Sequence, residues 1–191
     1  NAQVLDLHLK RLRCLLQRRT LWLRRQWGHD PRREYAAQVI SERHADWLLR
    51  GEDRAARTEF YATDSEALML AETAASLDAE IAEQVNLLGR NALALDVLLR
   101  LFRLSDFERD ILLLCLAPEI DPTFAPLYAY LQDDMTYRAP TPHLVYAVFD
   151  VERPEVLNET APLRRYHLIQ LAALPALPVA SRPLALDERM V

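Results

Sequence analysis

Three glycines in 191 residues leave few places where a positive φ comes without strain. The usual share is roughly 7%. Gly28, Gly51 and Gly89 stand far apart, so neither G-x-x-x-x-G-K-[ST] nor G-x-G-x-x-G occurs. Closely spaced backbone N–H groups that cradle a phosphate are therefore not encoded. Cysteine is scarcer still. Cys14 and Cys115 each lie in an apolar helical pattern, and a disulfide requires that the two helices meet. Two buried free thiols in a reducing compartment are the expectation. The five histidines (His8, His29, His44, His143, His167) are dispersed, with no C-x-x-C or H-x-x-x-H, so no metal centre is expected. No run reaches the roughly 18 apolar residues of a membrane span, and no signal peptide opens the chain. A cytoplasmic protein without a membrane partner is expected. The opening Asn1-Ala2 lacks a Met and reads as a trimmed start.

What is present is ordinary globular material: 51% apolar and 27% charged residues. The length allows one large domain or two small ones, and scarce glycine predicts helices joined by Pro-marked turns. In "VLDLHLKRLRCLLQRRTLWLRRQW", Leu5, Leu9, Leu12, Leu16 and Leu23 form one stripe, with Lys10, Arg11, Arg13, Arg18, Arg24 and Arg25 mostly elsewhere. Gly28 and Asp30-Pro31 end this helix, and another is predicted around Ser41–Arg50. From Thr58 to Leu88 the chain has seven acids and no base. Its later part, "SEALMLAETAASLDAEIAEQVNLL", repeats Leu70, Ala74, Leu77, Ile81, Val85 and Leu88 at helical spacing. The charge is lopsided: residues 1–57 hold 13 Lys and Arg against 7 Asp and Glu, and residues 58–191 hold 10 against 21. A hairpin in which the acidic helix faces the Arg-rich one is the expected arrangement.

The texture changes after Gly89. "NALALDVLLRLFRL" reads as an apolar helix, and Ser105 with Glu108 forms a capping box for a central, buried one. Asp121-Pro122 starts a helix with Phe124, Leu127, Tyr128 and Leu131 on one side, and Thr141-Pro142 starts "HLVYAVFD". "HLIQLAAL" and "RPLALD" read as short strands around a loop from Pro175 to Ser181. Asp187 reads as the cap of a helix that the chain does not finish. Helices followed by a strand hairpin are the winged-helix order. The expected fold is mainly α: a helical bundle or hairpin over 1–89, then a winged-helix domain with a short β-hairpin over 90–191.

No constellation in this order points to catalysis, cofactor or metal. Cys115, flanked by Leu114 and Leu116, is expected to be an inert thiol. Asp133-Asp134 could coordinate Mg²⁺ in a stand-alone enzyme, but a helix end followed by Thr136 and Arg138 points to turn hydrogen bonds and a local ion pair. Winged helices often read DNA with a helix in the position of Thr141–Asp150. Here Leu144, Val145, Val148 and Phe149 form the inner arc, while His143, Tyr146 and Asp150, with Glu152 beyond, face out. No base lies on that arc and none in the strand loop before Arg182, so nucleic acid is an unexpected partner. The alternative is a nucleic-acid-binding regulator that uses Arg18, Arg24 and Arg25 of the first helix.

The segment "LFRLSDFERDILLLCLAPEIDPTFAPLYAYLQDDMTYRAPTPHLVYAVF", with "APLRRYHLIQL" and "RPLALDERMV" later, resembles the winged-helix region of a bacterial AAA+ ATPase family associated with extracellular contractile injection systems. Phe-Glu-Arg-Asp, Ala-Pro-Glu, Leu-Tyr-Ala-Tyr and Gln-Asp-Asp carry the likeness, over roughly residues 91–191; residues 1–90 are similar only in helical character and position. The resemblance implies a non-motor N-terminal part of a larger ATPase, with Walker motifs, ATP and Mg downstream of Val191. It also implies protein partners or cargo, a following AAA+ domain, a possible homo-oligomer through the motor, and no enzyme activity or cofactor in this part.

Overall fold

Leucine spacing decides the first element. The computed structural model, which describes residues 2–28, 42–88, 94–151 and 153–190, opens with α1 (Ala2–Trp27). Its Leu9, Leu12, Leu16 and Leu23 recur at helical intervals and are buried, joined by Trp22 and Trp27. Three helices follow: α2 (Glu42–Arg50), α3 (Arg54–Thr63) and α4 (Ser65–Leu88). α4 lies along α1 in the expected hairpin, with Ala67, Leu70, Ala74 and Ile81 turned inward. Val4, Leu7 and Ile81 close its far end. α3 was not evident from periodicity. Asp53 caps it, its carboxylate accepting from the Ala56 N–H at 2.9 Å, and Phe60 places its ring 5.6 Å from that of Trp22. The signals at Asp30-Pro31, Ser41 and Gly89, and with Gly89 the division at 89/90, lie outside the described residues.

α5 (Ala94–Phe102) leads to α6 (Asp106–Ile120), whose capping box is formed in both directions: Ser105 accepts from the Glu108 N–H, and Glu108 accepts from the Ser105 N–H at 2.8 Å. α6 is the central helix, with Ile111 to Cys115 all buried. α7 (Phe124–Leu131) and α8 (Pro142–Phe149) pack around it, the latter capped by Thr141 as its Thr-Pro start predicts. A single turn of 3₁₀ helix at Pro154–Leu157 precedes α9 (Pro162–Arg165). The chain then forms an antiparallel hairpin, β1 (Ile169–Leu171) against β2 (Leu184–Leu186), with Gln170 opposite Ala185. The Leu184 N–H also donates to the Pro140 carbonyl at 2.7 Å, which ties the outer edge of β2 to the segment before α8. Asp187 caps only a 3₁₀ turn, Glu188–Met190, and accepts from the Arg189 N–H.

Positive φ values are few among the described residues, as expected, but most of them do not fall on glycine. Arg103, Asp133, Asp150 and His167 all adopt φ between 53° and 55° at helix ends. At three of them the six-to-one bond of a Schellman motif is present: Leu104 N–H to Leu99, Asp134 N–H to Ala129 and Leu168 N–H to Leu163. The hydrogen bonds that close each helix end hold ordinary L-residues where glycine is usual.

One hydrophobic core runs through α1, α3, α6, α7, α8 and the hairpin, including Leu12, Trp22, Phe60, Leu114, Phe124, Leu144 and Ile169.

Candidate functional site

Chain order puts α9, not α8, directly before the hairpin. In a helix-turn-helix it is the second helix that enters the major groove, which corrects the position assumed for the 141–150 helix. α9 has four residues, about 6 Å of helix, against a groove about 12 Å wide. Its Arg164 is committed to the Leu157 carbonyl at 3.3 Å and to Glu159 at 3.4 Å. Arg165 lies 5.7 Å from the Tyr166 ring centroid. α8 behaves as its inner and outer arcs predict except at Tyr146, which is half-buried against the core rather than turned out. Leu144 and Val145 are fully buried, Val148 and Phe149 partly so, and His143 and Asp150 are exposed; Glu152 lies outside the described residues.

Two of the cations near α8 are tied into one carboxylate network. Arg57, buried on α3, pairs with Asp150 at the end of α8 and with Glu52 at 2.9 Å. Glu52 also pairs with the buried Arg19 and accepts from the Trp22 indole N–H at 2.6 Å. Burial alone would raise the Glu52 carboxyl, but its bonds to Arg19 and the charges of Arg19 and Arg57 outweigh this and hold it below the ordinary range. Sequence reasoning missed this network. Arg19 meets a carboxylate 33 residues away, and Arg57 joins the nearby Glu52 to Asp150, 93 residues away, so no local spacing announces the network.

The expected pairing of α1 arginines with the acids of α4 is corrected in part. Arg11 bonds Asp78 of α4 at 2.6 Å, but also Asp110 of α6, and Arg13 reaches Asp121 and Thr123. Glu59, Glu66, Glu72, Glu80 and Glu83 face solvent. The arginines point toward α6 because that side of α1 is the core side. Arg24 and Arg25 are exposed and make no ion pair among the described residues, and Arg25 lies 5.3 Å from the Phe60 ring centroid.

The loop between the strands is apolar. Leu174 and Val179 are exposed, and Arg182, its one base, donates to the Leu177 carbonyl at 3.0 Å. Its 3₁₀ turn, Val179–Ser181, packs against α8.

The remaining sequence candidates are not brought together. Asp134 accepts from the Thr136 N–H at 2.8 Å and from the Thr136 hydroxyl at 2.6 Å, and the adjacent Asp133 is left-handed and exposed. Among the described residues no three His, Cys, Asp or Glu side chains group to hold a metal. Cys14 and Cys115 are both free, and burial pushes the Cys115 thiol up to about 12, which leaves it protonated at neutral pH. His29 and the side chain of His44 lie outside the described residues. Among those described, no helix is long and apolar enough to cross a membrane.

A family model described as "Winged helix domain, variant" matches residues 3–191. No curated protein and no solved structure matches the chain.

Proposed function

The chain belongs to the variant winged-helix domain family, and from that premise we propose that it is a recognition and docking module for other polypeptides, without catalysis or cofactor of its own. The observation that carries this is the charge state of the reading surface. α8 shows His143, Tyr146 and Asp150, α9 is one turn long, and the strand loop exposes Leu174 and Val179 while its base is bonded internally. Duplex binding draws most of its affinity from cations set against phosphates, and nearly every cation at this face already has a carboxylate or carbonyl. A hydrophobic loop beside a half-buried tyrosine suits a protein partner better.

The finer setting rests on the resemblance of residues 91–191: a module ahead of an AAA+ motor that handles partners or cargo of a contractile injection system in the cytoplasm, with ATP and Mg at the motor. Sequencing the reading frame beyond Val191 checks this directly. A Walker motif is the expected result, and its absence removes the motor from the proposal.

Fluorescence anisotropy with a labelled duplex tests the docking reading. Binding weaker than micromolar at about 150 mM salt is expected. The exposed Arg24 and Arg25 favour one rival, phosphate binding along the end of α1. Submicromolar affinity with a steep salt dependence, lost on changing Arg18, Arg24 and Arg25, would establish that rival instead.

A further inference from the structure

We propose that the cavity enclosed by α1, α3, α6 and the end of α8 binds a monocarboxylate bearing an aromatic or branched apolar group, and that Arg18 takes the carboxylate. The cavity has a volume of about 290 Å³. That is the low end of ligand pockets, roughly 300–1,000 Å³: room for one ring and a carboxylate, but not for a nucleotide.

Its walls divide by chemistry. Leu15, Phe107, Val148 and Phe149 make an apolar side, with the two Phe rings edge to face at 5.8 Å. Opposite them the Arg18 guanidinium lies over the Tyr61 ring at 4.0 Å. Stacking fixes a long side chain in advance, so less freedom remains to be lost when an anion arrives.

The charges leave one vacancy. Arg11 is held by Asp78 and Asp110; Asp110 also accepts from Arg109 at 3.0 Å, and Asp150 pairs with Arg57. Arg18 lines the cavity and meets no carboxylate among the described residues. A guanidinium held on an aromatic ring beside an apolar wall takes a carboxylate through charge-assisted bonds. Asp110 and Asp150 line the same cavity. Each is already balanced, yet both repel added negative charge, so a monoanion is preferred over a dianionic phosphate.

The carboxylate can belong to a free small acid or to a polypeptide, such as a C-terminal Phe. The second case rests on the docking reading and the first does not. Calorimetric titration of the 191-residue chain with 3-phenylpropionate, 3-phenylpropionamide, inorganic phosphate and acetyl-Ala-Ala-Phe separates them.

The acid is expected to bind at about 0.1–1 mM, the amide and phosphate at least tenfold more weakly. Arg18→Met should weaken the acid at least tenfold, while Arg138→Met on the exposed surface should leave it unchanged. Binding of acid and peptide together supports a polypeptide ligand. Acid without peptide supports the same site with a free carboxylate as its occupant, and leaves the docking reading to the duplex experiment. Equal affinity of acid and amide, full binding by a folded Arg18→Met chain, or no heat from either carboxylate at tenfold higher concentration would overturn the proposal. Should Arg18→Met fail to fold, the acid–amide comparison on the unaltered chain still decides.

Discussion

Both imidazole nitrogens of His8 lie out of water with no hydrogen-bond partner, and the residue is only 1% exposed. Burial first, then the charges of Arg109 and Arg11, lower its pKa from 6.5 to about 4, with Asp78 pulling weakly the other way. The folded protein thus holds His8 neutral while the unfolded chain titrates it normally. The unfolded state takes the proton first, so the stabilisation is complete above pH 6.5 and is lost as pH falls toward 4. At about 1.4 kcal/mol per unit, the loss approaches roughly 3 kcal/mol. His8→Leu keeps an apolar side chain there and cannot be protonated. Urea unfolding at about pH 7.5 and about pH 4.5 should show a smaller acid loss for the variant by about 2–3 kcal/mol; parallel losses would count against the account. Arg103 offers a simpler case. It is exposed and sits at φ 53° where the α5 Schellman motif favours glycine. Arg103→Gly should therefore raise stability by about 0.5–1 kcal/mol, read as a higher urea midpoint with an unchanged slope.

At the scale of elements, α6 and α7 are joined through a bond that a proline makes available. Pro118 lies inside α6 and has no N–H to give the Leu114 carbonyl four residues back. The buried Tyr128 hydroxyl of α7 donates to that carbonyl at 2.8 Å instead. Tyr128→Phe leaves a buried carbonyl unpaired and should cost about 1–3 kcal/mol. In a Pro118→Ala background the restored N–H supplies a donor, so the same change should cost less. A double-mutant cycle by urea unfolding should give a coupling of about 1 kcal/mol, and strict additivity would dismiss the link. The two residues show what sequence can and cannot say about such elements. The Ala-Pro-Glu run in a leucine-rich segment announces a helix, but not which side chain fills the gap ten residues later. Where signals are local, the reading held: the Ser105–Glu108 box, the Thr141 cap, the α4 stripe and the two strands. α3 was hidden because its inward residues include Arg57, whose burial depends on Glu52 and Asp150 folding onto it. The cavity at Arg18 was illegible for the same reason, since its walls come from four helices and only their packing leaves a cation without a partner.

On the scale of the molecule, α1 is the strut to which both halves are fixed. It packs along α4, and also against α6, α7 and α8. Arg13 lies 4.2 Å from the Phe124 ring centroid and pairs with Asp121, Trp27 meets Tyr130 edge-on at 5.6 Å, and Arg11 bonds Asp110. The change of texture near residue 90 marks where the chain turns, but the buried cluster continues across it from Leu12 and Trp22 to Leu114, Phe124 and Leu144. Residues 94–191 alone would expose the faces of α6 and α7 that α1 covers and leave Asp110 and Asp150 without their long-range arginines. Hydrophobic burial supplies most of the folding free energy, so that piece should lose cooperative unfolding, bind a hydrophobic dye and show little near-ultraviolet dichroism. Adding residues 2–28 as a separate peptide should restore part of the signal. A sharp melt of 94–191 within a few degrees of the whole chain would mean that the winged helix carries its own core and α1 merely rests on it.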